Sequence, residues 1–216
     1  MTNLILASQS PRRAELLRTA GFRFKVRSRP VAEVRAPNED PREYVIRLAR
    51  AKADAAWKGL GDEKGLTEEK ALINDTGSGN EKRTGNEEGT TNEIVLGADT
   101  VVVLDEQVLE KPVDAAEACS MLRSLSGRTH IVITGVCLRH AAGTILDIAS
   151  TKVRFAKLDD HEIDEYVASG EPMDKAGAYA IQGLASKFVE HVDGCYFNVI
   201  GLPLSLIYRH LKRLAG

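Results

Sequence analysis

Aromatic residues are scarce in this chain, at 5% of 216 residues. The core must therefore be packed mainly by aliphatic side chains, and no set of rings is at hand to stack bases of single-stranded nucleic acid. Cysteine is rarer still. Cys119, Cys137 and Cys195 stand far apart with no Cys-x-x-Cys pair, which excludes a disulfide framework and a cysteine zinc site. Five histidines are scattered with no His-Glu-x-x-His pair, and none is assigned a catalytic role. No apolar run is long enough to cross a bilayer. No charged-then-apolar segment opens the chain, so a cytoplasmic protein without a membrane partner is expected. Net charge is also lacking: 29 basic against 31 acidic residues leave −2. Such a balance gives no global attraction to nucleic acid, so the basic residues act locally if they act at all.

What is present is 43% apolar residues, enough for a core, in a length that suits one sizeable domain or two small ones. Leu4-Ile5-Leu6-Ala7 reads as a buried strand, and it runs straight into Ser8-Gln9-Ser10-Pro11-Arg12-Arg13. Ser10 suits an N-cap and Pro11 the first helical position. Two hydroxyls, free backbone N–H groups and two guanidiniums thus gather at one helix start, where anions bind well and arginines fork onto phosphate oxygens. A capped surface helix that happens to begin with arginines has the same pattern.

Gly21 closes that helix, and Phe22, Phe24 and Val26 alternate as a strand. Asp40-Pro41-Arg42-Glu43 opens a second helix, about 41–57, whose apolar stripe carries Lys52. A lysine there either snorkels outward or points at a ligand. Residues 61–93 are rich in Gly, Asn, Thr and Glu and read as a flexible insertion within a single domain spanning 1–216. Gly77-Ser78-Gly79 inside it is no nucleotide loop, because no strand precedes it and no Gly-Lys-Ser/Thr follows. Strands are expected at 94–96, 101–104 and 108–109, the last two about an Asp-Glu turn. A helix follows to Leu125, then β segments at 129–138 and 144–155, a helix at 160–169, strands at 178–181 and 187–200, and a last helix from Pro203. Alternating strands and helices with some hairpins predict an α/β domain with a mixed, twisted sheet flanked by helices.

Asp99 lies between two apolar runs, where an ionised group is expensive unless paired. It is either a turn aspartate with satisfied backbone contacts or a carboxylate that holds a cation or orients water. Glu33, Asp99 and Glu110 offer hard oxygen ligands of the kind magnesium uses sparingly, keeping several waters. Lys111 alone reads as a solvated loop lysine; with Arg12, Arg13 and Lys52 it completes a cationic set fit for a polyphosphate.

The ordered series Ser8-x-Ser10-Pro11-Arg12-Arg13, Gly97-Ala98-Asp99-Thr100, Leu109-Glu110-Lys111-Pro112, Ser126-Gly127-Arg128-Thr129, Gly170-Glu171-Pro172-Met173-Asp174-Lys175-Ala176-Gly177, Ile181-Gln182-Gly183 and Gly201-Leu202-Pro203-Leu204 resembles the Maf family of nucleoside triphosphate pyrophosphatases. The resemblance spans nearly the whole chain, interrupted at 61–93. It implies an elongated fold like that of inosine triphosphatases, with a central cleft, and a possible homodimer. Ser8, Ser10 and Arg13 would bind phosphate, Lys52 and Lys111 would neutralise charge, and Glu33 with Asp99 would hold a divalent metal, magnesium or manganese. Asp99 would also accept the proton of the attacking water. Arg12, Thr100 and Gln182 match the branch acting on dTTP and UTP rather than the one acting on 7-methyl-GTP. Asp174 and Lys175 match the pattern as catalytic residues or as an ion pair. The family is also associated with restraint of septum formation, so a nucleotide-binding regulator is the rival from another class.

Overall fold

Two long, nearly continuous apolar segments set the architecture, because both of their faces must be covered. The computed structural model describes residues 3–73 and 92–215. In chain order the elements are β1 (Asn3–Leu6), α1 (Pro11–Thr19), β2 (Phe24–Val26), α2 (Pro41–Ile73), β3 (Glu93–Leu104), β4 (Gln107–Leu109), α3 (Ala115–Leu125), β5 (Thr129–His140) and β6 (Gly143–Phe155). Then come α4 (Asp160–Ala168), three 3₁₀ turns at Glu171–Asp174, Ala176–Ala178 and Leu184–Phe188, β7 (Val189–Asp193), α5 (Tyr196–Ile200) and α6 (Leu204–Ala215). The strands form one mixed sheet in the order β2-β1-β3-β5-β6-β7, with β4 added to β3. β1 is parallel to both β2 and β3, and the other pairings are antiparallel.

Strand periodicity assigns the faces. Val95 and Val101 of β3, with Cys137 and Ile133 of β5, lie under α2 against Tyr44, Val45, Leu48, Ala49 and Ala53. On the other face, Ile94, Leu96 and Ala98 pack with α1 and α6, whereas Val102 and Leu104 pack with α3 and α4. Two separate apolar clusters therefore share one face of the sheet, and Thr100 falls between them. The β3 edge is open at the same place. β1 pairs with it only through Leu96 and β4 only from Val102. The cleft lies at this gap, outside the carboxyl end of β1, where ligands of parallel strands commonly sit.

Glycine lets α2 lie close. A Cβ on Gly97 would stand 2.1 Å from the Ala49 carbonyl oxygen, and one on Gly135 would stand 2.5 Å from that of Val45. Both distances are shorter than any real contact, so the helix backbone rests directly on β3 and β5. Lys52, one turn on from Leu48, is thereby brought over the open stretch of β3.

Several sequence expectations change. Residues 93–104 form one continuous strand, so Asp99 is mid-strand and not in a turn. The helix expected to end near 57 runs to Ile73, into the segment read as a flexible insertion; residues 74–91, including Gly77 to Gly79, lie outside the described residues. No strand forms at 178–181. Gly177 and Ala178 adopt φ of 69° and 58°, a left-handed turn that breaks any extended run. The expected strand 187–200 is β7 followed by α5. Asn198 explains the switch: its buried amide donates to the Val132 carbonyl and to Thr151 Oγ1 at 3.0 and 2.9 Å. Among the described residues no helix is long and apolar enough to cross a membrane.

Candidate active site

All of the residues singled out on sequence as site candidates line one cleft of about 630 Å³. Ser8, Ser10, Arg12 and Arg13 come from the β1–α1 junction, Glu33 from the loop after β2, and Lys52 from α2. Asp99 and Thr100 come from the open edge of β3, Lys111 from the segment after β4, and Asp174, Lys175 and Gln182 from the 3₁₀ segment.

An ammonium group between two carboxylates forms the centre. Lys52 Nζ lies 2.6 Å from Glu33 Oε1 and 2.7 Å from Asp99 Oδ1. The lysine of the apolar stripe therefore points inward and does not snorkel. Burial raises the Glu33 carboxyl, but the hydrogen bond and charge of Lys52, followed by the charges of Lys111 and Arg13, outweigh it and hold Glu33 below its ordinary range. Tyr44, read on sequence only as an apolar-stripe residue, contributes more. Its hydroxyl lies 3.1 Å from Glu110 Oε1 and 3.2 Å from the Glu33 carbonyl oxygen, tying the Glu33 loop to the end of β4. Burial first, then the charge of Glu110, keeps this phenol protonated.

Arg13 and Ser8 divide the phosphate chemistry differently from the sequence expectation. Arg13 is buried, and its N–H groups go to the carbonyl oxygens of Gly201 and Ala98, both at 2.8 Å, to Thr100 Oγ1 at 3.0 Å and to Ser8 Oγ at 3.3 Å. The Ala98 carbonyl belongs to the open edge of β3, so Arg13 satisfies a group that no strand reaches. Burial works against its charge and Asp99 favours it; a guanidinium stays protonated regardless. Most of its donors are thus committed to the frame of the cleft. Ser8 Oγ accepts from Arg13 and from the Ser10 backbone N–H at 3.2 Å. A hydroxyl has two lone pairs and one proton, so what Ser8 has left to offer is a donor, the match for an acceptor-only phosphate oxygen. Ser10 occupies the N-cap position without a side-chain capping bond, so no side chain of its own caps the first N–H groups of α1, which borders the cleft.

Thr100 Oγ1 also lies 2.9 Å from Thr134 Oγ1, its register partner on β5. Thr134 escaped the sequence reading because nothing local marks it; only the pairing does. Arg12 reaches across the cleft to Asp174, with Nη1 2.9 Å from Oδ2 and Nη2 3.4 Å from the carbonyl oxygen. Asp174 also binds Lys175. The hydrogen bonds of both cations overcome burial and hold its carboxyl below the usual range.

Among the described residues, no three His, Cys, Asp or Glu side chains converge as a ready metal site. Glu33 and Asp99 nevertheless fit a magnesium-like ion. Lys52 takes one oxygen of each, the other oxygens remain, and such an ion needs only one or two carboxylates when it shares substrate phosphates.

The fold and site define a class of α/β protein whose sheet edge opens into a cleft lined by several cations and one lysine-held carboxylate pair. Comparison narrows that class: the family model described as "Maf-like protein" matches residues 3–214, and the chain belongs to this family. It is 45% identical over 210 residues to a protein of Koribacter versatilis (strain Ellin345) named dTTP/UTP pyrophosphatase, covering 97% of this chain and 93% of that one. Proteins of the same name from Shewanella oneidensis and Escherichia coli O6:K15:H31 are 46% and 43% identical, over 94% and 98% of this chain and 93% of each of theirs.

Proposed function

We propose that the chain hydrolyses dTTP and UTP to the nucleoside monophosphate and pyrophosphate, as the names of its relatives suggest. The observation that carries the reading is Lys52 seated between Glu33 and Asp99 in the cleft that Ser8 and the start of α1 also line. Water attacks the α phosphorus. A bond forms from the water oxygen to the α phosphorus, the bond from the α phosphorus to the oxygen bridging it to the β phosphorus breaks, and pyrophosphate leaves carrying that oxygen. Asp99 takes the water proton through the oxygen that Lys52 leaves available. Lys52 holds that carboxylate in place, and its positive charge lowers the repulsion between Asp99 and the substrate. Ser8 and the α1 N–H groups donate to phosphate oxygens, and Lys111 adds charge at the cleft wall. A divalent ion held by Glu33 and Asp99 supplies Lewis-acid stabilisation of phosphate charge when bound. Gln182 stands on the rim with an amide that offers a donor and an acceptor, the pattern of the uracil or thymine edge.

Pyrophosphate release from dTTP, UTP, CTP, GTP and 7-methyl-GTP, with magnesium and with chelator, tests this. Turnover of dTTP and UTP that the chelator abolishes is the expected result. Preference for 7-methyl-GTP would keep the chemistry and overturn the base assignment, while tight binding without turnover would make the protein a nucleotide-responsive regulator.

A further inference from the structure

Of the three residues matched to base selection, Arg12 is held by one end of a short turn, and the backbone just after Gln182 is held by the other. The 3₁₀ segment Glu171–Asp174 carries Asp174 at its last position, and Asp174 grips the Arg12 guanidinium. It carries Glu171 at its first position, and that carboxylate serves the turn bearing Gln182. Glu171 Oε2 accepts the Leu184 backbone N–H at 3.1 Å, while Oε1 accepts the Tyr166 hydroxyl at 2.8 Å. The fit is close: a Cβ on Gly183 would lie 2.4 Å from either carboxylate oxygen, so the carboxylate rests on the backbone next to Gln182. The Glu171 carbonyl oxygen accepts Lys175 Nζ at 2.6 Å, which locks the two ends of the turn together.

We infer that Glu171 and Asp174 are positioning residues for base selection, Glu171 fixing the backbone from which Gln182 reaches the base and Asp174 fixing the direction of Arg12. The inference rests on the proposed reading of Gln182 and Arg12. Its chemistry is simple. Uracil and cytosine exchange donor and acceptor along the edge the amide would meet. A held turn fixes the place from which Gln182 approaches that edge, whereas a loose turn lets it shift to follow either base. Neither carboxylate needs to touch substrate for this.

The test is the ratio of kcat/KM for UTP to that for CTP in the wild type, Gln182→Ala, Glu171→Gln and Asp174→Asn. Each positioning variant is expected to lower the ratio about tenfold, the size of effect that loss of a hydrogen bond to a charged group supports. A merely structural role would lower both activities together and leave the ratio unmoved; that result, in folded variants alongside a Gln182→Ala ratio that does fall, overturns the inference. If Gln182→Ala leaves the ratio unchanged, the base reading itself is wrong and the inference goes with it. Should Glu171→Gln not fold, Gly183→Ala makes the same test, since its methyl displaces the carboxylate while keeping every charge.

Discussion

Lys52 decides what its two carboxylate neighbours can do, and that makes it the most exposed single residue of the account. Lys52→Met removes the cation that sits between Asp99 and Glu33. A loss of roughly 10²–10³ in kcat is expected, as for other removed electrostatic contacts, and steady-state kinetics on UTP would measure it. The same ion set bears on stability. The folded chain holds Glu33 below the ordinary 4.5, so the unfolded chain binds this proton first; the contribution is present above that pH and disappears below it. His130 acts in a neighbouring window. Burial lowers it from 6.5 to about 4, with Nε2 2.8 Å from the Tyr179 hydroxyl. Protonation therefore favours the unfolded chain, and stability falls as pH drops from 6.5 toward 4. Urea unfolding should show a loss of about 2 kcal/mol from this residue between about pH 7 and pH 5, and His130→Gln should remove that part of the slope. Arg13→Ala would orphan the Ala98 and Gly201 carbonyls, at a cost of roughly 2–6 kcal/mol from 1–3 for each. A midpoint unchanged in denaturant would show that Arg13 is not the frame of the cleft.

At the scale of elements, the site depends on how closely α2 lies on the sheet. Gly97→Ala forces a methyl into the Ala49 carbonyl, and overpacking of this kind costs about 1–3 kcal/mol or more. Activity is expected to fall beyond what the lost stability explains, because lifting α2 draws Lys52 away from Asp99; full kcat in a folded Gly97→Ala protein would contradict that coupling. Most elements were legible because their signals are local. Asp159 and Glu162 form a capping box, Asp114 caps α3 at Glu117 N, 2.8 Å away, β5 is a long apolar run, and β6 alternates over its last residues. The failures share a cause. Ala178 to Ile181 and Tyr196 to Ile200 are apolar runs with no local mark separating strand from turn or helix. What decides them is distant: the Gly177 N–H bonds the Glu110 carbonyl at 3.1 Å, and Asn198 is claimed by β5 and β6. The site residues could be named from the ordered motifs, but their division of labour could not. That Arg13 faces protein acceptors and that Asp174 holds Arg12 follow only from contacts between segments far apart in sequence.

Considered as a whole, the molecule places its cleft where two apolar clusters part on one face and where β1 and β4 leave β3 unpaired. Asp99 and Thr100, adjacent in sequence, point to opposite faces of that open strand, one toward α2 and the other toward Arg13. A reacting phosphate at the edge can meet the carboxylate from one side while the Arg13 network steadies the other. The central claim is that the lysine-held carboxylate of Asp99 activates the attacking water. Pyrophosphate release from dTTP by the wild type and by Asp99→Asn, with binding of dTTP followed in parallel, tests it most directly. The account predicts a loss of about 10²–10⁴ in kcat, the range for a general base, with dTTP still bound. Turnover by Asp99→Asn at the wild-type rate would contradict it.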